Sequence, residues 1–305
     1  MKPPFSGLIA APVTPMHPDG SINYDRIPDL AQAFIGNGLS GVFIAGTTGE
    51  GMSLSQDERK KLAEAWRDAV NSDFAVIVHV GHNSLADSKA LARHARDQIK
   101  AEAIALVPPH YHKPAEMADM VDFTVQVAEQ APGTPVYYYH IPEMSGVTFE
   151  MYKLLPLLEK SVPEFAGLKF SADDLMDYGQ CLNYKDGKYN ILFGRDENLL
   201  AGLSLGATGF VGATYNVAAP LYFQIIDAFQ RGDLDTARRL QGQSREMVET
   251  MNKYGFISAL KATMQFLKLD AGPLRLPQRT LPDDQVNALY NDLHRINFFS
   301  YSLKV

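Results

Sequence analysis

A single cysteine, Cys181, is all the chain carries, which excludes an intrachain disulfide and any zinc site built from cysteine clusters. That fits a reducing compartment without requiring one. No stretch approaches the roughly 18 consecutive apolar residues of a membrane span, and the opening Met1-Lys2-Pro3-Pro4-Phe5 lacks the apolar run of a signal peptide. A cytoplasmic protein with no membrane partner is the expectation. Basic residues are in deficit, 28 Lys and Arg against 35 Asp and Glu, for a net charge of −7. Nothing in that balance invites nucleic acid or an acidic lipid surface. No Gly-x-Gly-x-x-Gly element follows the first strand, no P-loop is present, and no nucleophile elbow of a Ser-His-Asp hydrolase is found. Internal repeats, low-complexity tracts and linkers are also missing.

What is present is an ordinary globular composition, 46% hydrophobic and 21% charged over 305 residues, enough for one large α/β domain or two ordinary ones. Short apolar runs at 7–13, 42–45, 74–80, 103–107, 136–139, 164–171, 189–193 and 207–211 read as eight strands. Stretches of helical period at 25–37, 55–70, 84–100, 115–129 and 149–160 fall between them, the last interrupted by Pro156. Ser55 with Glu58 three residues on is a capping box. From residue 221 the pattern is helical only, at 221–230, 234–251, 256–267 and 283–297. Eight strands with helices or short links between them predict a closed (β/α)8 TIM barrel over 1–220, with a C-terminal helical extension over 221–305. Periodicity alone leaves an open doubly wound sheet as the alternative.

Active sites of such barrels gather where strands run into their βα loops, and four strand ends carry chemistry. In Glu164-Phe165-Ala166-Gly167-Leu168-Lys169-Phe170-Ser171 one lysine sits inside a buried strand. Desolvation lowers the pKa of a lysine, and a neutral amine attacks ketones; a lysine whose head reaches water from the strand end is the other reading. Tyr139 closes the fifth strand, 30 residues before Lys169. The two side chains can converge inside a barrel, with the phenol as proton shuttle or as packing. Gly46-Thr47-Thr48-Gly49-Glu50-Gly51 after the second strand offers amides and hydroxyls suited to a carboxylate, or an ordinary turn. Gly194-Arg195-Asp196-Glu197 and Gly212-Ala213-Thr214-Tyr215-Asn216 could bind a polyhydroxylated ligand or cap the next helix. His79, His82, His110 and His112 resemble metal-ligand spacing, but no acidic or cysteine pair accompanies them, and a metal site is not expected.

Gly46-Thr47-Thr48-Gly49-Glu50, Tyr139-x-Ile141-Pro142 and Gly167-Leu168-Lys169, in this order, resemble the signature elements of the dihydrodipicolinate synthase and N-acetylneuraminate lyase superfamily. The likeness runs from Leu8 to about Pro277. The longer strings Tyr137-Tyr138-Tyr139-His140-Ile141-Pro142, Gly167-Leu168-Lys169-Phe170-Ser171 and Leu192-Phe193-Gly194-x-Asp196-Glu197, with Arg275-Leu276-Pro277, are most similar to the neuraminate lyase branch. The resemblance implies a class I aldolase that forms a Schiff base with pyruvate, needs no metal or other cofactor, and assembles as a homotetramer around a small-molecule substrate.

By position, the resemblance makes Lys169 the Schiff-base lysine and Tyr139 the proton shuttle, with Thr47 and Thr48 on the pyruvate carboxylate. The Thr48 hydroxyl would link Tyr139 to Tyr111, inserted from a neighbouring subunit. Ser171, Gly194, Asp196 and Glu197 would bind the sugar-chain hydroxyls. Ala213 stands where neuraminate lyases usually have a serine, and Glu143 where a small residue is common. The run Glu143-Met144-Ser145-Gly146-Val147 lacks the arginine with which the synthase branch binds a second carboxylate. The expected activity is reversible cleavage of N-acetylneuraminate to N-acetylmannosamine and pyruvate. The alternatives are an aldolase for another 2-keto-3-deoxy sugar acid and a non-catalytic ligand-binding protein on the same scaffold.

Overall fold

The computed structural model describes residues 4–305; residues 1–3, part of the N-terminal stretch considered above, lie outside them. Eight parallel strands close a barrel in chain order: β1 (Gly7–Ala10), β2 (Gly41–Ile44), β3 (Ala75–His79), β4 (Ala103–Leu106), β5 (Val136–His140), β6 (Phe165–Phe170), β7 (Asn190–Phe193) and β8 (Gly209–Gly212). β1 pairs with both β2 and β8, so no edge remains and the open-sheet alternative is gone. Both faces of every strand are covered, which is why the strands read as continuous apolar runs. Alternate residues, among them Ile9, Phe43, Ile77, Ala105, Tyr139 and Leu192, fill the barrel. Their neighbours pack outward against helices.

The helices among the described residues are α1 (Ile27–Gly36), α2 (Gln56–Ala69), α3 (Leu85–His94), α4 (Met117–Ala128), α5 (Pro142–Ser145), α6 (Met151–Ser161), α7 (Leu175–Asn183), α8 (Leu199–Leu205), α9 (Tyr215–Gln230), α10 (Leu234–Asn252), α11 (Phe256–Phe266) and α12 (Asp283–Arg295). The Ser55 capping box forms as expected: Glu58 N donates to Ser55 Oγ at 3.2 Å, and Ser55 N to Glu58 Oε2 at 2.8 Å. Three boundaries differ from the sequence reading. The segment 84–100 divides into α3 and a π-helical turn, Ala95–Ile99, closed by Lys100 at φ +54°. α6 is not interrupted at Pro156 but runs through it, forgoing one backbone bond. α9 begins at Tyr215 and kinks at Ala218 (φ −141°, ψ 26°), two residues before Pro220. The division between residues 220 and 221 therefore falls inside a helix. No helix among the described residues is long and apolar enough to cross a membrane.

One irregularity in the sheet positions the site. Val136 pairs with Phe165, but the next residue, Tyr137, pairs with Gly167, so β6 bulges by one residue at Ala166. Ala166 packs against the inner cluster, whereas Phe165 and Leu168 both belong to the outer one. Gly167 is required there: a Cβ would lie 1.9 Å from Asn190 O. Beyond the bulge, Leu168 and Phe170 face the helices, and Lys169 lies over the rings of Phe43 and Tyr139 inside the barrel.

Candidate active site

Lys169 and Tyr139 are paired residues on adjacent strands. Both are buried, at 4% and 3% exposure. Lys169 Nζ lies 4.0 Å from the Tyr139 ring centroid and 4.1 Å from that of Phe43. The amine is thus cradled by two aromatic faces that keep bulk water away. The sequence reading left open a lysine whose head reaches solvent from the strand end; the side chain lies instead within the barrel.

His79, at the end of β3, stands edge-on to Tyr139 with ring centroids 5.9 Å apart. Val107 N donates to its Nε2 at 3.3 Å. The imidazole proton therefore sits on Nδ1, which faces Ala45 O at 3.0 Å. Burial and the nearby Arg59 guanidinium hold the pKa of His79 well below the usual histidine value. Arg59 is itself buried and donates to His79 O at 2.6 Å and Gly81 O at 3.0 Å; burial brings it down to about 10. The bond to Ala45 matters because Ala45 holds φ +54°, an unfavourable left-handed conformation. At that corner the chain leaves β2 and enters the threonine loop. Both ring nitrogens of His79 are thus engaged by the backbone, and among the described residues no group of three or more His, Cys, Asp or Glu side chains is placed to hold a metal ion.

One threonine of that loop meets the phenol. Thr47 Oγ1 is 3.4 Å from Tyr139 Oη. Thr47, rather than the Thr48 expected from the resemblance, thus makes the contact with Tyr139, while Thr48 is buried in the loop at 7% exposure. Tyr111 lies apart from this cluster, 80% exposed. Its backbone N donates to Asn83 Oδ1 at 3.0 Å, as does His110 N at 2.9 Å.

Ser171, Gly194 and Asp196 gather at the ends of β6, β7 and β8. A Cβ on Gly194 would meet Ser171 Oγ at 2.0 Å, and one on Gly212 would meet Asp196 Oδ1 at 2.0 Å, so both glycines exist to let side chains pass. Asp196 Oδ2 accepts from Thr214 N at 2.8 Å and from Thr214 Oγ1 at 2.7 Å. Its Oδ1 is buried with no partner of its own. Burial first, then the charge of Glu197, pushes this carboxyl up to about 6, against the pull of the Thr214 bonds and of Lys169. Glu197 is half-buried and ion-paired at 3.5 Å with Arg195, which also binds Asp173 at 3.0 Å and Glu143. One arginine therefore ties together the loops after β5, β6 and β7.

A cavity of about 230 Å³ opens beside the phenol, its wall including Thr47, Glu50, Met52, His79, Tyr139 and Pro277. It lies on the threonine side of the mouth and does not reach Ser171 or Asp196. Pro277 belongs to the segment between α11 and α12, so the extension closes part of the site. The sequence reading assigned no role to His79, Arg59, Glu50 or Lys261. For His79 the signal was available, a histidine closing an otherwise apolar strand; Arg59 stands in a charged run of α2 and gave none.

The Dihydrodipicolinate synthetase family profile matches residues 4–296. Over 305 residues the chain is 38% identical to N-acetylneuraminate lyase of Rattus norvegicus, covering 98% of this chain and 95% of the relative. The Gallus gallus N-acetylneuraminate lyase is 42% identical over 278 residues, 90% of each chain. Among solved structures, Proteus mirabilis N-acetylneuraminate lyase superposes with a TM-score of 0.94 at 39% identity, covering 96% of this chain and 99% of that one.

Proposed function

This chain belongs to the dihydrodipicolinate synthetase family, and from that premise we propose that it is a class I aldolase reversibly cleaving N-acetylneuraminate to N-acetylmannosamine and pyruvate. The full-length likeness to lyases of that name supports the substrate. The observation that carries the mechanism is the buried Lys169 amine 4.0 Å from the Tyr139 ring.

Lys169 adds to the C2 ketone of the open-chain sugar acid, and loss of water gives an iminium. The C3–C4 bond breaks with its electron pair passing into that iminium, while the C4 hydroxyl loses its proton to Tyr139 and becomes an aldehyde. The resulting enamine is protonated at C3, and hydrolysis returns the free amine and pyruvate. Thr47, within reach of the phenol, relays its proton, and the amides and hydroxyls of Thr47 and Thr48 hold the carboxylate. Ser171, Asp196 and Glu197 take the hydroxyls of the sugar tail, Asp196 through its unpartnered oxygen, and Gly194 supplies the room. In a homotetramer, Tyr111 would complete the relay from a neighbouring subunit. Residues 1–220 form the barrel and 221–305 the extension in this reading, and the cytoplasm is its setting.

Ala213 favours a second reading, an aldolase for another 2-keto-3-deoxy sugar acid. A missing side-chain hydrogen bond to the tail costs about 0.5–1.5 kcal/mol, enough to shift preference without abolishing turnover. Borohydride trapping with pyruvate tests the chemistry: an adduct of pyruvate mass is expected on the Lys169 peptide, and its absence ends the proposal. Pyruvate release from N-acetylneuraminate against 2-keto-3-deoxygluconate separates the two substrates.

A further inference from the structure

Glu50 belongs to the threonine loop, yet the mechanism above gives it no task. It holds φ +55° and ψ 29°, left-handed like Ala45. Its backbone N donates to Thr47 O at 3.1 Å, closing a turn over Thr47, and Gly51 N donates to Gly46 O at 3.0 Å. The turn has no slack, since a Cβ on Gly51 would lie 1.9 Å from Ala45 O. Where the Glu50 side chain is anchored therefore decides where Thr47 stands.

That anchor lies at the far end of the chain. Lys261 of α11 places Nζ 2.9 Å from Glu50 Oε1, with side-chain exposures of only 4% and 1%. The same Nζ donates to Pro273 O at 2.7 Å. Arg275 N donates to Glu50 Oε2 at 2.9 Å. The Arg275 guanidinium donates to Ser53 O at 3.0 Å and Gly20 O at 2.8 Å, and grips the Glu58 carboxylate at 2.8 and 2.5 Å. Pro277 then reaches the cavity wall beside Thr47 and Tyr139. A buried ion pair gains little over well-packed apolar residues, because both charges must be desolvated. What two fixed charges give that an apolar pair does not is a defined distance between two segments.

We propose that the Glu50–Lys261 pair is a positioning device through which the C-terminal helical extension holds Thr47 against Tyr139, so that the extension works in proton transfer as well as in enclosing the barrel. This rests on the aldolase reading, in which Thr47 and Tyr139 move the proton. Three readouts separate the two. Borohydride trapping with pyruvate reports the Schiff base; exchange of pyruvate methyl protons in deuterated water, followed by proton NMR, reports enamine protonation; cleavage kinetics give kcat and KM.

Glu50→Asp keeps the charge and the fold but shortens the reach, and the double variant Glu50→Gln/Lys261→Met removes both charges together. Both variants are expected to melt cooperatively and to be trapped to the wild-type end point. Methyl exchange and kcat are expected to fall together by about tenfold to a hundredfold, the scale of an ångström-sized misplacement, with KM nearly unchanged. Wild-type exchange and kcat in either folded variant overturn the proposal. If the wild-type protein itself is not trapped, the aldolase reading fails instead, and that outcome is distinguishable from the first.

Discussion

The two sides of the barrel mouth are built on opposite principles. On the side of β2, β3, β5 and β6, Phe43, His79, Tyr139 and Lys169 are all buried. Their polar neighbours spend themselves on main-chain carbonyls: His79 on Ala45 O, Arg59 on His79 O and Gly81 O. Across the mouth, Glu143, Asp173 and Glu197 surround Arg195 on loops, with side-chain exposures of 60%, 66% and 30%. Bond making and breaking need groups fixed in a dry setting, where fixed dipoles act at full strength. Recognition of a polyol needs several acceptors, which work while partly wet. The difference teaches that an error on the dry side should cost rate, and one on the wet side should cost selectivity.

The comparison breaks most sharply at Lys169. Lys169→Ala should lower pyruvate release by about 10⁴-fold or more, the scale seen when a covalent nucleophile is removed, and abolish borohydride trapping. Residual turnover within tenfold of wild type would place the reacting amine elsewhere. Tyr139→Phe should reduce kcat by about 10²–10³-fold, within the usual range for a lost general acid–base, while leaving trapping detectable. A change confined to KM would move Tyr139 to the recognition side.

Asp196 stands on the border, buried like the dry side but acidic like the wet one. Asp196→Asn should raise KM for the sugar acid about tenfold, the order of a charge-assisted hydrogen bond, with pyruvate trapping unaltered. Its carboxyl is pushed up to about 6 in the fold, above its ordinary range. The fold therefore favours the protonated form: that contribution is present at low pH and is lost as pH rises through about 6. A gap of about two pH units corresponds to about 3 kcal/mol. Melting of the unliganded protein between about pH 4 and 6 should show a contribution to decline that Asp196→Asn removes, levelling off above the folded value of about 6; identical profiles in both proteins would refute the assignment.

The smallest effect belongs to Arg195. Its own side chain is only 17% exposed, but its partners lie open to solvent, where ion pairs contribute about 0–1 kcal/mol, so Arg195→Gln should leave kcat nearly unchanged and lower melting only slightly. The ratio of kcat/KM between N-acetylneuraminate and 2-keto-3-deoxygluconate should shift about two- to fivefold, within the span of that energy. A fall in kcat beyond tenfold would make Arg195 part of the chemistry and erase the division.

Much of this was legible in the sequence, because the strands of a parallel barrel are short apolar runs and the signature motifs sit at their ends. Lys169 and Tyr139 could be placed on neighbouring strands from residue count alone. Thr47 could not be told from Thr48, since adjacent threonines in a glycine-rich loop differ only in where the turn points them, and the loop opens on a left-handed Ala45 of which an alanine gives no warning. His79 drew notice only as a metal candidate, because its neighbours Arg59 and Ala45 come together through tertiary structure. Lys261 lies more than two hundred residues from Glu50, and no local pattern couples a helical lysine to a glycine-rich loop. Pro156 was read as an interruption, yet it sits inside a helix that runs through it, and the last long helix of the barrel starts at Tyr215, not at residue 221.

The bulge in β6 has a consequence for how this site can be lost. In a strand without it, Phe165 and Lys169 stand an even number of steps apart and must face the same way. Here Phe165 packs against Tyr189 outside the wall, the rings tilted at a centroid distance of 5.1 Å, while the amine is inside. Ala166 is the extra residue that the bulge absorbs, so four steps along the chain act as three across the wall. Straightening the strand with Ala166 still in it would leave every reacting group in the polypeptide and still force a choice, either Phe165 driven into the lumen or Lys169 expelled among the helices. The irregularity thus guards the reaction as closely as the lysine itself.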